Sequence, residues 1–240
     1  METDETVIEA APVPEFEAYG LPHLVVLGFT LLAAVVLVWT ARRDRAHPWL
    51  KWKERLLVAA LFLTYPAKLL VLLTDGASSM DFRLPLHLCD LTAYVAMLAL
   101  VWRNQRLAEL AYFWGIAGTL QGLLTPAVGT GYPYPEFFRF FLLHSAVVVA
   151  AVYLPVGKRL VPEEGAVWRA FGWMQVYVVA AALANLATGA NYGFLCEPPP
   201  TASLIDLLGV WPYYIVWMEV IALLFFGLLY LPWFLLGRKR

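Results

Sequence analysis

The stretch Leu84–Pro85–Leu86–His87–Leu88–Cys89–Asp90–Leu91 places an imidazole, a thiol and a carboxylate side by side at the head of a long apolar segment. A thiol near an imidazole can lose its proton and attack an ester carbonyl, the imidazole then passing that proton to the leaving group. Lipid cannot solvate an ionisable group, so each one inside a membrane segment is a functional hypothesis by default. A further histidine, His144, lies in another apolar segment. Cys89 and His144 are therefore the candidate nucleophile and base. The competing reading is a small buried thiol and a packed histidine. On a helical wheel His87 and Cys89 diverge by about 200°, which makes them poor joint ligands, and no metal or other cofactor is expected. Asp90 shares a face with His87, so these two are expected to form a local pair. Pro85 suits a first helical turn, where its missing N–H costs nothing. That places Cys89 near a helix N-terminus, whose dipole favours a thiolate.

The elements that must hold these residues are membrane helices. The chain has 240 residues, 61% hydrophobic and 15% charged, with a mean hydropathy of +0.67. Such a composition belongs to a polytopic, all-α membrane protein. A net charge of -1 gives no basis for nucleic-acid binding. Two cysteines, Cys89 and Cys196, are too few for a disulfide framework. A spanning helix needs about 20 apolar residues, and seven segments qualify: roughly 21–41, 55–74, 84–102, 107–125, 137–155, 167–188 and 211–236. Residues 1–20 form an acidic tail and 21–240 a single seven-helix domain. With seven spans, the basic residues of the 42–55, 103–106 and 158–169 stretches and of Arg238–Lys239–Arg240 share one side, leaving Arg83 and Arg139 opposite. Positive residues mark the cytoplasmic side, so the expected arrangement has the N-terminus outside and the C-terminus inside, in the cell membrane.

Counting at ~1.5 Å per residue puts Lys68, Cys89, His144 and Glu219 about 9–10 Å below the outer boundary, with Gln121 and Asn185 near the same level. A shared depth suggests that these groups meet, either as a packing network or as a site for reaction or transport. Lys68 and Glu219 are a candidate ion pair. Gln121, Asn185 and Asn191 are candidate amide donors to an oxyanion. His87, Asp90 and Tyr192 complete the expected substrate-contacting set, with the Gly-, Pro- and aromatic-rich outer loops as a lid or rim.

Several pieces taken together resemble the YwaF-like family of integral membrane proteins: Pro85–Leu86–His87–Leu88–Cys89–Asp90, Gln121 with Leu123–Leu124–Thr125–Pro126, Phe140–Phe141–Leu142–Leu143–His144, Asn191–Tyr192–Gly193–Phe194–Leu195 and Leu208–Gly209–Val210–Trp211–Pro212–Tyr213. That family looks related to a vertebrate acyltransferase that remodels ether phospholipids through a cysteine. It is more distantly similar to androgen-induced-gene type hydrolases, which cleave fatty-acid esters. The resemblance implies Cys89 as nucleophile, His144 as its partner, and phospholipid and lysophospholipid as the molecules bound. The expected function is thus a phospholipid acyltransferase working through a thioester near the outer leaflet. The alternatives are a lipid ester hydrolase, or a transporter or proton-coupled channel built on the same polar layer. The oligomeric state is not readable from the sequence.

Overall fold

In a hydrocarbon environment each backbone N–H and C=O must be paired within its own segment, which leaves helices as the way for this chain to span. The computed structural model describes residues 13–75, 83–200 and 203–237, and its long elements are all helical. Residues 1–12, 76–82, 201–202 and 238–240 lie outside the described residues. The helices are α1 (Leu21–Arg43), α2 (Pro48–Asp75), α3 (Leu88–Trp102), α4 (Gln105–Trp114), α5 (Leu120–Leu124), α6 (Pro135–Val156), α7 (Ala166–Thr188) and α8 (Tyr213–Gly237). A π-helical turn, Gly115–Thr119, joins α4 to α5, so the described residues make seven rods. Five of them, α1, α2, α6, α7 and α8, are long and apolar enough to cross a membrane.

Caps explain several boundaries. The Asn104 side chain accepts the Leu107 N–H at 3.0 Å and starts α4. Gly189, at φ +70°, ends α7 in a left-handed conformation that glycine adopts without a Cβ penalty, and its N–H donates to Asn185 O. Pro135 opens α6, where its missing N–H is not needed.

The third helix departs from expectation. It begins at Leu88 with His87 as extended N-cap, four residues later than the expected start at 84, and Pro85 lies ahead of the helix. Tertiary contacts hold the approach non-helical: Leu84 O accepts from Lys68 Nζ at 3.1 Å, and Leu84 N–H donates to the Tyr192 hydroxyl at 3.4 Å. As the residue before a proline, Leu84 is in any case disfavoured in the α region. Cys89 therefore sits in the first turn of α3. The fourth rod also differs, since the expected continuous helix over 107–125 is widened by the π turn.

α6 is the axis of the bundle. It packs against α1, α2, α3, α4 and α5, and its most apolar window is 78% buried. The corresponding window of α8 is 6% buried, which leaves that helix apolar around most of its circumference, as a lipid-facing helix should be. Residues 13–20 are docked rather than trailing. Phe16 N–H donates to Gly129 O at 3.0 Å, Tyr19 OH donates to Leu124 O at 2.8 Å, and buried His23 bonds Leu123 O through Nε2 at 2.8 Å. This strap closes over the loop after α5, at the same end of the bundle as Cys89.

Candidate active site

Lys68 of α2 and Asp90 of α3 form a buried charge pair at this end. Lys68 Nζ lies 2.8 Å from Asp90 Oδ2, and both side chains are almost wholly enclosed. Lys68 thus pairs with Asp90 rather than with Glu219. α2 packs on α3 and α6, whereas α8 packs on α7, and there Glu219 accepts a hydrogen bond from Gln175. The equal depth expected for Lys68 and Glu219 did not make them neighbours, because depth leaves the angular position around the bundle open. Asp90 is the Lys68 partner, and the ring of His87 packs at 5.5 Å against both Tyr192 and Phe194.

Cys89 projects into the bundle from the first turn of α3. Its side-chain neighbour is the Thr119 hydroxyl, supplied by the π turn, with the Lys68 and Asp90 charges behind it. One extra residue in a helical turn re-aims the side chains that follow, and such turns recur at functional sites. Here the turn is fitted tightly to α6: a Cβ on Gly115 would come within 2.7 Å of the Ala151 side chain.

His144 approaches the same rod from α6. Its Nδ1 lies 2.7 Å from Phe140 O. A carbonyl can only accept, so Nδ1 carries the hydrogen and the neutral ring keeps its lone pair on Nε2. The ring stacks on Phe140 with centroids 4.0 Å apart. Its Nε2 edge rests against the backbone of Gly122, where a Cβ would come within 2.5 Å of Nε2. No hydrogen bond joins Cys89 to His144. Both face one short stretch of the fourth rod, Cys89 at Thr119 and His144 at Gly122, and residues three apart share a helix face. Asp90 is an electrostatic neighbour of both.

The residues of the connection between α7 and α8 hold one another. Asn185 Nδ2 donates to Tyr192 O at 3.0 Å, and its Oδ1 accepts the Tyr192 N–H at 2.7 Å. Asn191 donates to Glu197 O at 2.8 Å and accepts the Cys196 N–H at 3.0 Å. Tyr214 OH and Trp211 Nε1 tie this loop to the start of α8, donating to Phe194 O at 2.8 Å and Leu195 O at 3.0 Å. The amides of Asn185 and Asn191 are thus committed to the loop. Gln121, half-buried and one residue before Gly122, makes no side-chain hydrogen bond among the described residues.

Sequence reasoning missed Thr119, Gly122 and Tyr177 as parts of this site. Gly118 and Gly122 stand at the spacing that lets helices approach closely, which by itself means packing; the approach turns out to be that of the His144 ring. Nothing local marks Thr119 or Tyr177. The Tyr177 hydroxyl reaches the α3 N-terminus, with Leu88 N–H and Cys89 as its neighbours. Tyr177 also walls an apolar groove of about 580 Å³ between α3, α4 and α7, which passes Leu86, Val95 and Leu110 and ends at Asn104 and Arg106. Among the described residues, no group of three or more His, Cys, Asp or Glu is placed to hold a metal ion.

The sequence profile of the TMEM164 family, a family of membrane proteins, matches residues 18–230. Searches of curated proteins and of solved structures return no match.

Proposed function

This chain belongs to the TMEM164 family, and on that premise we propose that it is a membrane-embedded phospholipid acyltransferase. The observation that carries the reading is the convergence of Cys89 and His144 on one face of the fourth rod, with the His144 tautomer set by Phe140 O. The resemblance to YwaF-like proteins and their cysteine-dependent relatives belongs to the same proposal. His144 Nε2 takes the thiol proton, and Cys89 Sγ attacks the acyl carbonyl of a phospholipid. The tetrahedral adduct expels the lysophospholipid oxygen, which receives the proton back, and the acyl group stays on Cys89 as a thioester. The hydroxyl of an acceptor lysophospholipid, giving its proton to His144, then attacks the thioester and releases Cys89. Water in place of the acceptor would make the same site a hydrolase. The groove beside α3 is about 22 Å long at ~1.5 Å per helical residue, comparable to a long acyl chain, and its apolar wall suits one. On this reading the site opens toward the outer leaflet of the cell membrane, which the basic residues at the far end support.

The test is mass-spectrometric trapping of an acyl group on Cys89 from a phospholipid donor. Cys89→Ala should abolish transfer, and His144→Ala should lose nearly as much, because the two act as a unit. Full turnover by Cys89→Ala would end the thioester mechanism and favour a transport role for the polar layer.

A further inference from the structure

A thioester mechanism needs donors for the oxygen that becomes negative when Sγ adds to the carbonyl, and Asn185 and Asn191 are committed elsewhere. Among the described residues, four buried side-chain polar atoms make no hydrogen bond of full geometry: Thr119 Oγ1, Thr130 Oγ1, the Tyr177 hydroxyl and Trp233 Nε1; Thr119 has Cys89, and Tyr177 the Leu88 N–H, only as looser neighbours. Two of these four, Thr119 and Tyr177, flank Cys89. An unmade hydrogen bond on a buried hydroxyl costs about 1–3 kcal/mol, so two such groups against one thiol require an explanation. Thr119 is fully enclosed and Tyr177 is 8% exposed.

The backbone supplies more donors at the same point. Leu88 and Cys89 open α3, and the first N–H groups of a helix have no intrahelical acceptor. The Tyr177 hydroxyl is next to that of Leu88. It is held there by the outer loop: Gly193 has φ +69°, and a Cβ on it would come within 2.7 Å of the hydroxyl oxygen. Only a residue without a side chain lets the loop backbone close down on Tyr177 in this way. Thr119 arrives on a different element, the π turn, where Gly118 lies against Leu88. Groups able to donate a hydrogen bond therefore reach the neighbourhood of Cys89 from α3, the π turn and α7.

We propose that Thr119 and Tyr177, together with the first-turn N–H groups of α3, form the oxyanion cradle for an acyl carbonyl attacked by Cys89. The inference rests on the acyltransferase reading and names the groups that make its charged intermediate accessible. As the Sγ–C bond forms, the carbonyl π pair moves onto oxygen and the thiol proton moves to His144 Nε2. The two hydroxyls and the α3 N–H groups donate to that oxygen, and the arrangement reverses when the lysophospholipid departs. Donors fixed in advance in a water-poor site stabilise developing charge without reorganising.

The experiment uses the full-length protein in phospholipid vesicles, with Tyr177→Phe and Thr119→Val as hydroxyl deletions of nearly unchanged shape. Two rates are read: acyl transfer from a phosphatidylethanolamine donor, and alkylation of Cys89 by iodoacetamide, which builds no oxyanion. Each variant should lose roughly 100-fold in kcat with KM unchanged, while Tyr177→Phe keeps the wild-type alkylation rate and Thr119→Val, which removes the hydroxyl beside Sγ, slows alkylation far less than transfer. Thr119→Ser should restore most of the transfer rate. Transfer within threefold of wild type in both deletions would overturn the cradle, and so would a parallel loss of alkylation, which marks a structural role. Loss of transfer in Cys89→Ala alongside intact transfer in the hydroxyl variants would remove the cradle and leave the thioester reading standing. Full transfer in Cys89→Ala would remove both.

Discussion

The two ends of the α3–α4 hairpin both bury ionisable groups, and they treat them differently. At the far end Glu109 is 1% exposed. Its carboxylate accepts from Arg169 Nε at 3.0 Å and Nη2 at 2.9 Å, from the Glu163 N–H at 3.1 Å and from Arg106 Nη1 at 3.3 Å. Nearby, Glu54 takes both the Tyr153 hydroxyl and Lys158 Nζ. These carboxylates are spent, and they tie the ends of α2, α4, α6 and α7 together. At the Cys89 end buried Arg139 is held by Glu136, and Lys68 with Asp90 is closed in the same manner. The groups in front of it are not: the Thr119 and Tyr177 hydroxyls make no hydrogen bond of full geometry, and His144 keeps Nε2 as its acceptor nitrogen. Burial costs both ends alike. A structural cluster recovers the cost by saturating its hydrogen bonds, whereas a site that must bind something keeps some of them unmade.

The largest stability effect should come from opening the closed pair in front of which the site is built. Lys68→Met leaves Asp90 buried without its cation and should cost about 3–5 kcal/mol, read as a lowered unfolding midpoint in detergent. Lys68→Met combined with Asp90→Leu should recover much of that loss; if the double variant is as unstable as the sum of its parts, the pair is not the closed unit described here.

The corresponding change at the far end is Glu109→Ala. It should cost roughly 3 kcal/mol, the low end for breaking a buried pair, because Arg169 is a third exposed and can turn to water. Transfer activity per folded molecule should not change. A selective loss of activity in this variant would erase the distinction between the two ends.

Gly122→Ala sharpens the contrast from the other direction. The new methyl must displace a ring anchored by Phe140 O and stacked on Phe140. Overpacking of this kind costs about 1–3 kcal/mol, but a displacement near 1 Å at the base should cost about 100-fold in rate. Steady-state kinetics beside thermal unfolding separates the two. Wild-type kinetics in this variant would show that the His144 orientation is not critical.

Much of this protein was legible before folding. Lipid forces backbone pairing into each segment, so hydropathy and length alone located the seven rods to within a few residues at most of their ends, although α2 starts at Pro48 and α3 at Leu88. The candidate residues Cys89, His144, Asp90 and Lys68 stood out as well, because ionisable groups are conspicuous against an apolar background. An expected depth followed from counting residues along each helix. Azimuth did not, since a helix near-uniformly apolar around its circumference carries no signal for which face meets which neighbour. For that reason Lys68 found Asp90 rather than Glu219, and Asn185 and Asn191 went to the loop. The π turn that aims Thr119 at Cys89, the glycine that seats His144 and the tyrosine that closes on the head of α3 are set by contacts between segments far apart in sequence, and only the packed bundle decides them.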